Sequence, residues 1–175
     1  MADENANGAA SATPQAANQP IFALQRVYIK DTSYEAPNVP QVFQEQGQPE
    51  LQLNLGQKVN PLAEGVFEVV LTVSLTCTVS GKNAYLAEVQ QAGIFTVAGF
   101  DAANTDGLLG TWAPNTLFPY ARRAISDMVQ DGGFPPFLLQ PINFDQIYAD
   151  VLRRRQEEAQ AGQPAATAAP DAGHA

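Results

Sequence analysis

With 175 residues, 45% of them hydrophobic, the chain has material for one ordinary core and little besides, because domains most often run to ~100 to 150 residues. Eighteen acidic residues against nine basic ones give a net charge of -9, which disfavours nucleic acid and anionic lipid as partners and favours a basic one. The one cysteine, Cys77, excludes an internal disulfide, and the one histidine, His174, is the penultimate residue, which removes histidine-based acid–base chemistry and histidine-rich metal sites.

Residues 1–19 are almost entirely Ala, Asn, Gln, Gly, Ser and Thr with a few acids, too poor in apolar side chains to offset the entropy of ordering, and predict a disordered tail. They hold no basic segment followed by an apolar run, and no stretch reaches the ~20 apolar residues of a bilayer span, so a cytoplasmic protein is expected. From Pro20 to Glu35, β-branched and aromatic residues alternate with polar ones as in a strand, and the shared parity of Asp31 and Glu35 projects both carboxylates from one face. Ala36 to Glu50, with Pro37, Pro40, Gly47 and Pro49, reads as a crossover loop that Val39, Val42 and Phe43 attach to apolar surface. Leu51, Leu53 and Leu55 alternate with Gln52 and Asn54 as a second strand, and Gly56 to Gly65 reads as a turn-rich connection.

From Phe67 to Phe100 the pattern is a long hairpin. Phe67, Val69, Leu71, Val73, Leu75, Cys77 and Val79 mark one face of its first strand, Ser80 to Asn83 supply a turn, and Tyr85, Ala87, Val89, Phe95 and Val97 mark the same face of its second strand. The opposite face carries Leu86, Glu88, Gln90, Ile94 and Thr96, a surface suited to a partner. Asp101 to Trp112 is too short to assign. Beyond it a helix is expected to Val129, with Asn115 as N-cap, Pro119 near the first turn, and a stripe of Leu117, Ala121, Ile125 and Met128; Gly132 and Gly133 stop it. Pro135, Pro136 and Pro141 enforce an extended linker. Asn143 with Gln146 then reads as a capping box before Phe144, Ile147, Tyr148, Val151 and Leu152, and Arg153 to Arg155 complement the helix dipole ahead of an Ala/Pro-rich tail at 157–175. Strands followed by helices make an α+β domain over 20–156, with a four-stranded antiparallel sheet and two main helices.

Little in this sequence points to catalysis. Cys77 on the apolar face of a strand reads as a buried, inert thiol, and Gly107, Gly110, Gly132 and Gly133 lack the lysine and the strand-to-helix setting of a phosphate cradle. Two carboxylate pairs, Asp101 with Asp106 and Asp31 with Glu35, are the remaining acid–base candidates, and they read more readily as solvated surface acids. The expectation is a binding protein without cofactor or enzymatic activity.

The runs from Arg26 to Asn38 (RVYIKDTSYEAPN), Phe67 to Leu71 (FEVVL), Glu88 to Phe95 (EVQQAGIF), Pro114 to Arg122 (PNTLFPYAR) and Pro141 to Asp145 (PINFD) are collinear and span about residues 20 to 152. In them the chain resembles SecB, the protein-export chaperone family of proteobacteria. The resemblance implies a dimer of dimers with the first main helix between sheets, placing Leu117, Ala121, Ile125 and Met128 at the interface. It implies precursors of exported proteins held unfolded in apolar grooves and passed to the SecA ATPase. Asp31, Glu35, Leu86 and Glu88 would form the SecA-docking face, and Val42, Phe43, Phe137, Leu139 and Tyr148 the groove. The chain departs from the family in having Gly47 where an aromatic residue is usual, and in longer alanine-rich tails. A different class of reading is a nonchaperone adaptor that recruits one folded basic partner through the acidic face.

Overall fold

A computed structural model describes residues 19–161. Period-two alternation builds its centre: β3 (Val66–Val79) buries Val69, Leu71, Val73, Leu75 and Cys77, and β4 (Lys82–Ala98) buries Tyr85, Ala87, Val89, Phe95 and Val97 on the same side. Ser80 and Gly81 between them both have positive φ, 51° and 75°, the turn whose twist matches that of antiparallel strands. β1 (Ile21–Glu35) adds beside β4 and β2 (Pro49–Ala63) beside β3, so the sheet order is β1-β4-β3-β2 with every neighbour antiparallel.

β2 does not stop at Leu55. The stretch expected as a turn-rich connection pairs with β3 without interruption from Pro49 to Pro61, because the ladder overrides the poor strand propensity of Gly56, Lys58 and Asn60, and an edge strand tolerates proline. The turn is confined to Glu64 and Gly65, where Gly65 takes a φ of +65°. β1 departs from simple alternation in another way. Register shifts between Leu24 and Arg26, and between Ile29 and Asp31, insert Gln25 and Lys30 as bulges, and each one exchanges the faces of all that follows.

After Gly99, α1 (Ala102–Gly110) fills the stretch left unassigned by pattern, capped by Asp101, whose carboxylate accepts the Asn104 N–H at 2.8 Å. α2 (Trp112–Asp131) begins ahead of Asn115, which is not the cap: its N–H donates to the Thr111 carbonyl at 3.1 Å, so the cap is Thr111. Pro114 sits in the first turn, where a missing N–H does no harm, and Pro119 consequently lies in the helix interior. Leu117, Ala121, Ile125 and Val129 press α2 onto β3 and β4, while Phe118 meets Phe144 of the third helix edge-on at 5.8 Å. The close approach needs Gly93, since a Cβ there would meet Leu117 Cδ2 and Phe95 Cε2 at 2.9 Å. α3 (Phe144–Ala161) has the expected cap, Asn143 Oδ1 accepting the Gln146 N–H at 3.1 Å. It runs through 157–161, which composition assigned to the tail, with Arg153 bridging to Asp150 and Glu157 on its surface. Residues 1–18 and 162–175, with the remainder of both expected tails and His174, lie outside the described residues.

Candidate functional site: an uncovered apolar track and an acidic sheet face

α2 covers β3 and β4 and leaves β2 bare. Leu51, Leu53, Leu55 and Val59 pair with Cys77, Leu75, Val73 and Val69, so they face the helix side of the sheet, yet they remain 37 to 42% exposed while those partners are at most 3% exposed. At the rise of an extended chain this row is ~27 Å long. A recess lies at each end. The first, about 410 Å³, is walled by Val42 and Phe43 of the crossover segment, by Pro49 and Leu51, and by Phe134 and Phe137 of the segment after α2. Phe43 and Phe134 meet across it at 5.1 Å between ring centroids, and Phe134 meets Tyr85 at 4.8 Å. The second, about 450 Å³, lies between β2, α1 and α3, where Leu55, Val59, Ile147, Tyr148 and Val151 converge.

Of the groove residues expected from sequence, Val42, Phe43 and Phe137 come together in the first recess and Tyr148 lines the second. Leu139 lines neither; it is 2% exposed in the core. Sequence reasoning missed the β2 leucines, Tyr85 and Phe134 as lining. The available signal was the alternation of Leu51, Leu53 and Leu55 in a chain with too few helices to cover them. Burial pushes both the Cys77 thiol and the Tyr85 hydroxyl above their ordinary pKa values, so the first recess has a neutral floor. It can hold apolar side chains, and Cys77 is a poor nucleophile there.

On the opposite side of the sheet, the Lys30 bulge decides the layout. Beyond it, Asp31 pairs with Gln90, Ser33 with Glu88 and Glu35 with Leu86, bringing Asp31, Glu35, Leu86 and Glu88 onto one face. Ser74, opposite Glu88 on β3, donates to Glu88 Oε2 at 2.5 Å and fixes its carboxylate. Asp31 and Glu35 are exposed, and Leu86 is half-buried among the acids. Lys30 would neutralise this patch if it lay along it. Its ammonium instead contacts both oxygens of Glu68 at 2.8 Å. Tyr28 also donates to Glu68, and Asn60 donates at 2.8 Å, so one carboxylate ties β1, β2 and β3 together and holds the cation away from Asp31. These hydrogen bonds, that of Lys30 foremost, hold the Glu68 carboxyl at about 2.

The helix stripe expected at a subunit interface is used within the chain. Leu117, Ala121 and Ile125 have no exposed surface and pack on β3 and β4, and Met128 is half-buried. A shallow recess on the outer flank of α2 is bounded by Val27 and Ile29 of β1 and by Tyr120 and Ala124; Ile29 and Tyr120 are more than half exposed. The carboxylate pair Asp101 and Asp106 is also occupied structurally. Asp101 caps α1, while Asp106 accepts from the Tyr148 hydroxyl at 2.6 Å and lies 3.7 Å from Arg155.

Residues 15–155 match the family described as Preprotein translocase subunit SecB. A Protein-export protein SecB of Xanthomonas euvesicatoria pv. vesicatoria is 58% identical over 158 residues, which cover 90% of this chain and 92% of the relative. The Protein-export protein SecB of Xylella fastidiosa is 57% identical over 162 residues, covering 93% and 94%. Among solved structures, a SecB-like chaperone of Mycobacterium tuberculosis in complex with a ChAD peptide from an antitoxin superposes with a TM-score of 0.60 over 70% of this chain and 91% of that one. At 16% identity that likeness concerns the fold.

Proposed function

The chain belongs to the SecB family of protein-export chaperones, and from that premise we propose that it holds unfolded precursors along the apolar track of β2 and delivers them to the SecA ATPase from the acidic face. One observation carries the client site: four apolar side chains of β2 share the core side of the sheet yet remain 37 to 42% exposed. An extended segment laid between the two recesses would bury them, contributing roughly 25 cal/mol per Å² with little directional demand, so selection falls on unfoldedness and not on a sequence code. The acidic face of Asp31, Glu35 and Glu88 around Leu86 suits a basic docking segment of SecA.

The assembly we propose is a dimer of dimers in the cytoplasm. Because Leu117, Ala121 and Ile125 are enclosed in their own subunit, the surface that α2 offers to another copy is its outer flank, with Tyr120 and Ala124, next to Ile29. Calorimetry with one polypeptide in native form and in reduced, carboxamidomethylated form tests the client site. Binding of the unfolded form alone, with a negative heat-capacity change, is the expected result. Equal affinity for both forms would sink the reading.

A further inference from the structure

We propose that Glu45 and Lys82 are positioning residues, an ionic latch that holds the wall of the first recess closed and sets how fast a bound segment leaves it; this rests on the client-binding reading above. The wall is the crossover segment 36–48, which contributes Val42, Phe43, Glu45 and Gly47 to the recess. The segment lies between the end of β1 and the start of β2 with no strand partner, and its only regular structure is a 3₁₀ turn at Gln41–Gln44. Val42 anchors it to the core. Its polar ties converge on the β3–β4 turn. Asn38 Nδ2 donates to the Asn83 carbonyl at 2.9 Å, and Lys82 Nζ meets Glu45 Oε1 at 2.6 Å. Gly47 sits against Ser80 so closely that a Cβ would strike its hydroxyl.

Among these ties the ion pair is the charged one, and it lies at the rim, since Glu45 itself lines the recess. The Lys82 hydrogen bond and charge hold the Glu45 carboxyl below the usual carboxylate range, as a formed pair requires. Phe43, two residues before Glu45, is half exposed and faces Phe134 on the opposite wall, where a Cβ added to Gly133 would come within 3.3 Å of Phe43 Cζ. Lifting the segment from the turn therefore withdraws Phe43 from Phe134 and widens the recess. An exposed pair of this kind shifts an opening equilibrium by no more than about fivefold, a size suited to tuning release and too small to decide folding.

The test compares wild type with Glu45→Gln, Lys82→Gln and the charge swap Glu45→Lys/Lys82→Glu. Amide hydrogen exchange at residues 41–45 is measured on the free protein, and dissociation is followed with fluorescently labelled, reduced and carboxamidomethylated α-lactalbumin. Each single variant is expected to speed both processes by about two- to fivefold, and the swap to restore both. Unchanged exchange in the single variants, or a swap that rescues neither measurement, overturns the latch. Faster exchange with unchanged dissociation overturns its control of release. If wild type fails to retain the probe, the client-binding reading falls, and exchange in the free protein still decides whether the latch exists.

Discussion

Glu68 shows how much one side chain can arrange. Its folded pKa of about 2 lies below the ordinary 4.5, so the stability it contributes is complete above the unfolded value and is lost as pH falls through 4.5 toward 2. Lys30 is nearly half exposed and partly screened, which trims the contribution of that pair. Glu68→Gln should therefore lower unfolding free energy by about 1 to 3 kcal/mol at pH 7. In urea titrations repeated at falling pH, the gap to wild type should close near pH 2, the folded pKa; a gap independent of pH would remove the carboxylate from the account. The same variant frees Lys30 beside Asp31 and should weaken SecA docking. None of this was legible in the sequence. Along β3, Glu68 is one acid on a face of threonines and serines, and Lys30, its strongest partner, lies 38 residues away on a strand that does not adjoin β3.

At the scale of elements, period and parity found the hairpin, the order of strands before helices, and the capped start of α3. They failed where a tertiary contact outweighed local preference. β2 continues through Gly56 and Lys58 because β3 offers it partners, and α2 begins at Trp112 because Pro114 is harmless in a first turn. The bulges of β1 are invisible to strict alternation, yet the pairing of Asp31 with Glu35 survived because both lie beyond the second one. For α2 the periodicity located an apolar stripe without saying which surface it meets. Ile125→Ala should thus cost about 2 to 5 kcal/mol of subunit stability, seen in denaturant melts. Tyr120→Asp, on the outer flank, should reduce the molar mass in light scattering while the fold persists in circular dichroism. If Ile125→Ala dissociated an assembly of otherwise stable subunits, the assignment of the two flanks would be reversed.

For the whole molecule, the proposed function divides its two jobs between the two faces of the sheet. The apolar row of β2 lies on the helix side and the acidic patch on the other, so under that proposal salt and mutation should act on them independently. Glu88→Lys should abolish SecA docking and leave binding of unfolded chains within about twofold of wild type, and raised ionic strength should slow SecA association alone. Parallel loss of both activities would mean that the sheet itself had been disrupted. Light scattering of the wild type should give about four times the 18.7 kDa chain mass. Parity put Asp31 with Glu35 and Leu86 with Glu88, and the family resemblance joined the two pairs, which the β1–β4 register places on one face. The apolar row of β2 showed only as alternation, since its exposure depends on α2 lying over β3 and β4 and not over β2. β2 is also an open edge, and a protein that gathers sticky, extended chains beside an open edge invites them to polymerise upon it. Pro49 and Pro61 lack backbone donors, and the register breaks between Pro61 and Ala63, so an incoming strand finds the edge interrupted at both ends. Under the proposed function, strand addition by a guest would thus be confined to the stretch between the two prolines, and a grip through side chains along the apolar row would leave the guest free to depart.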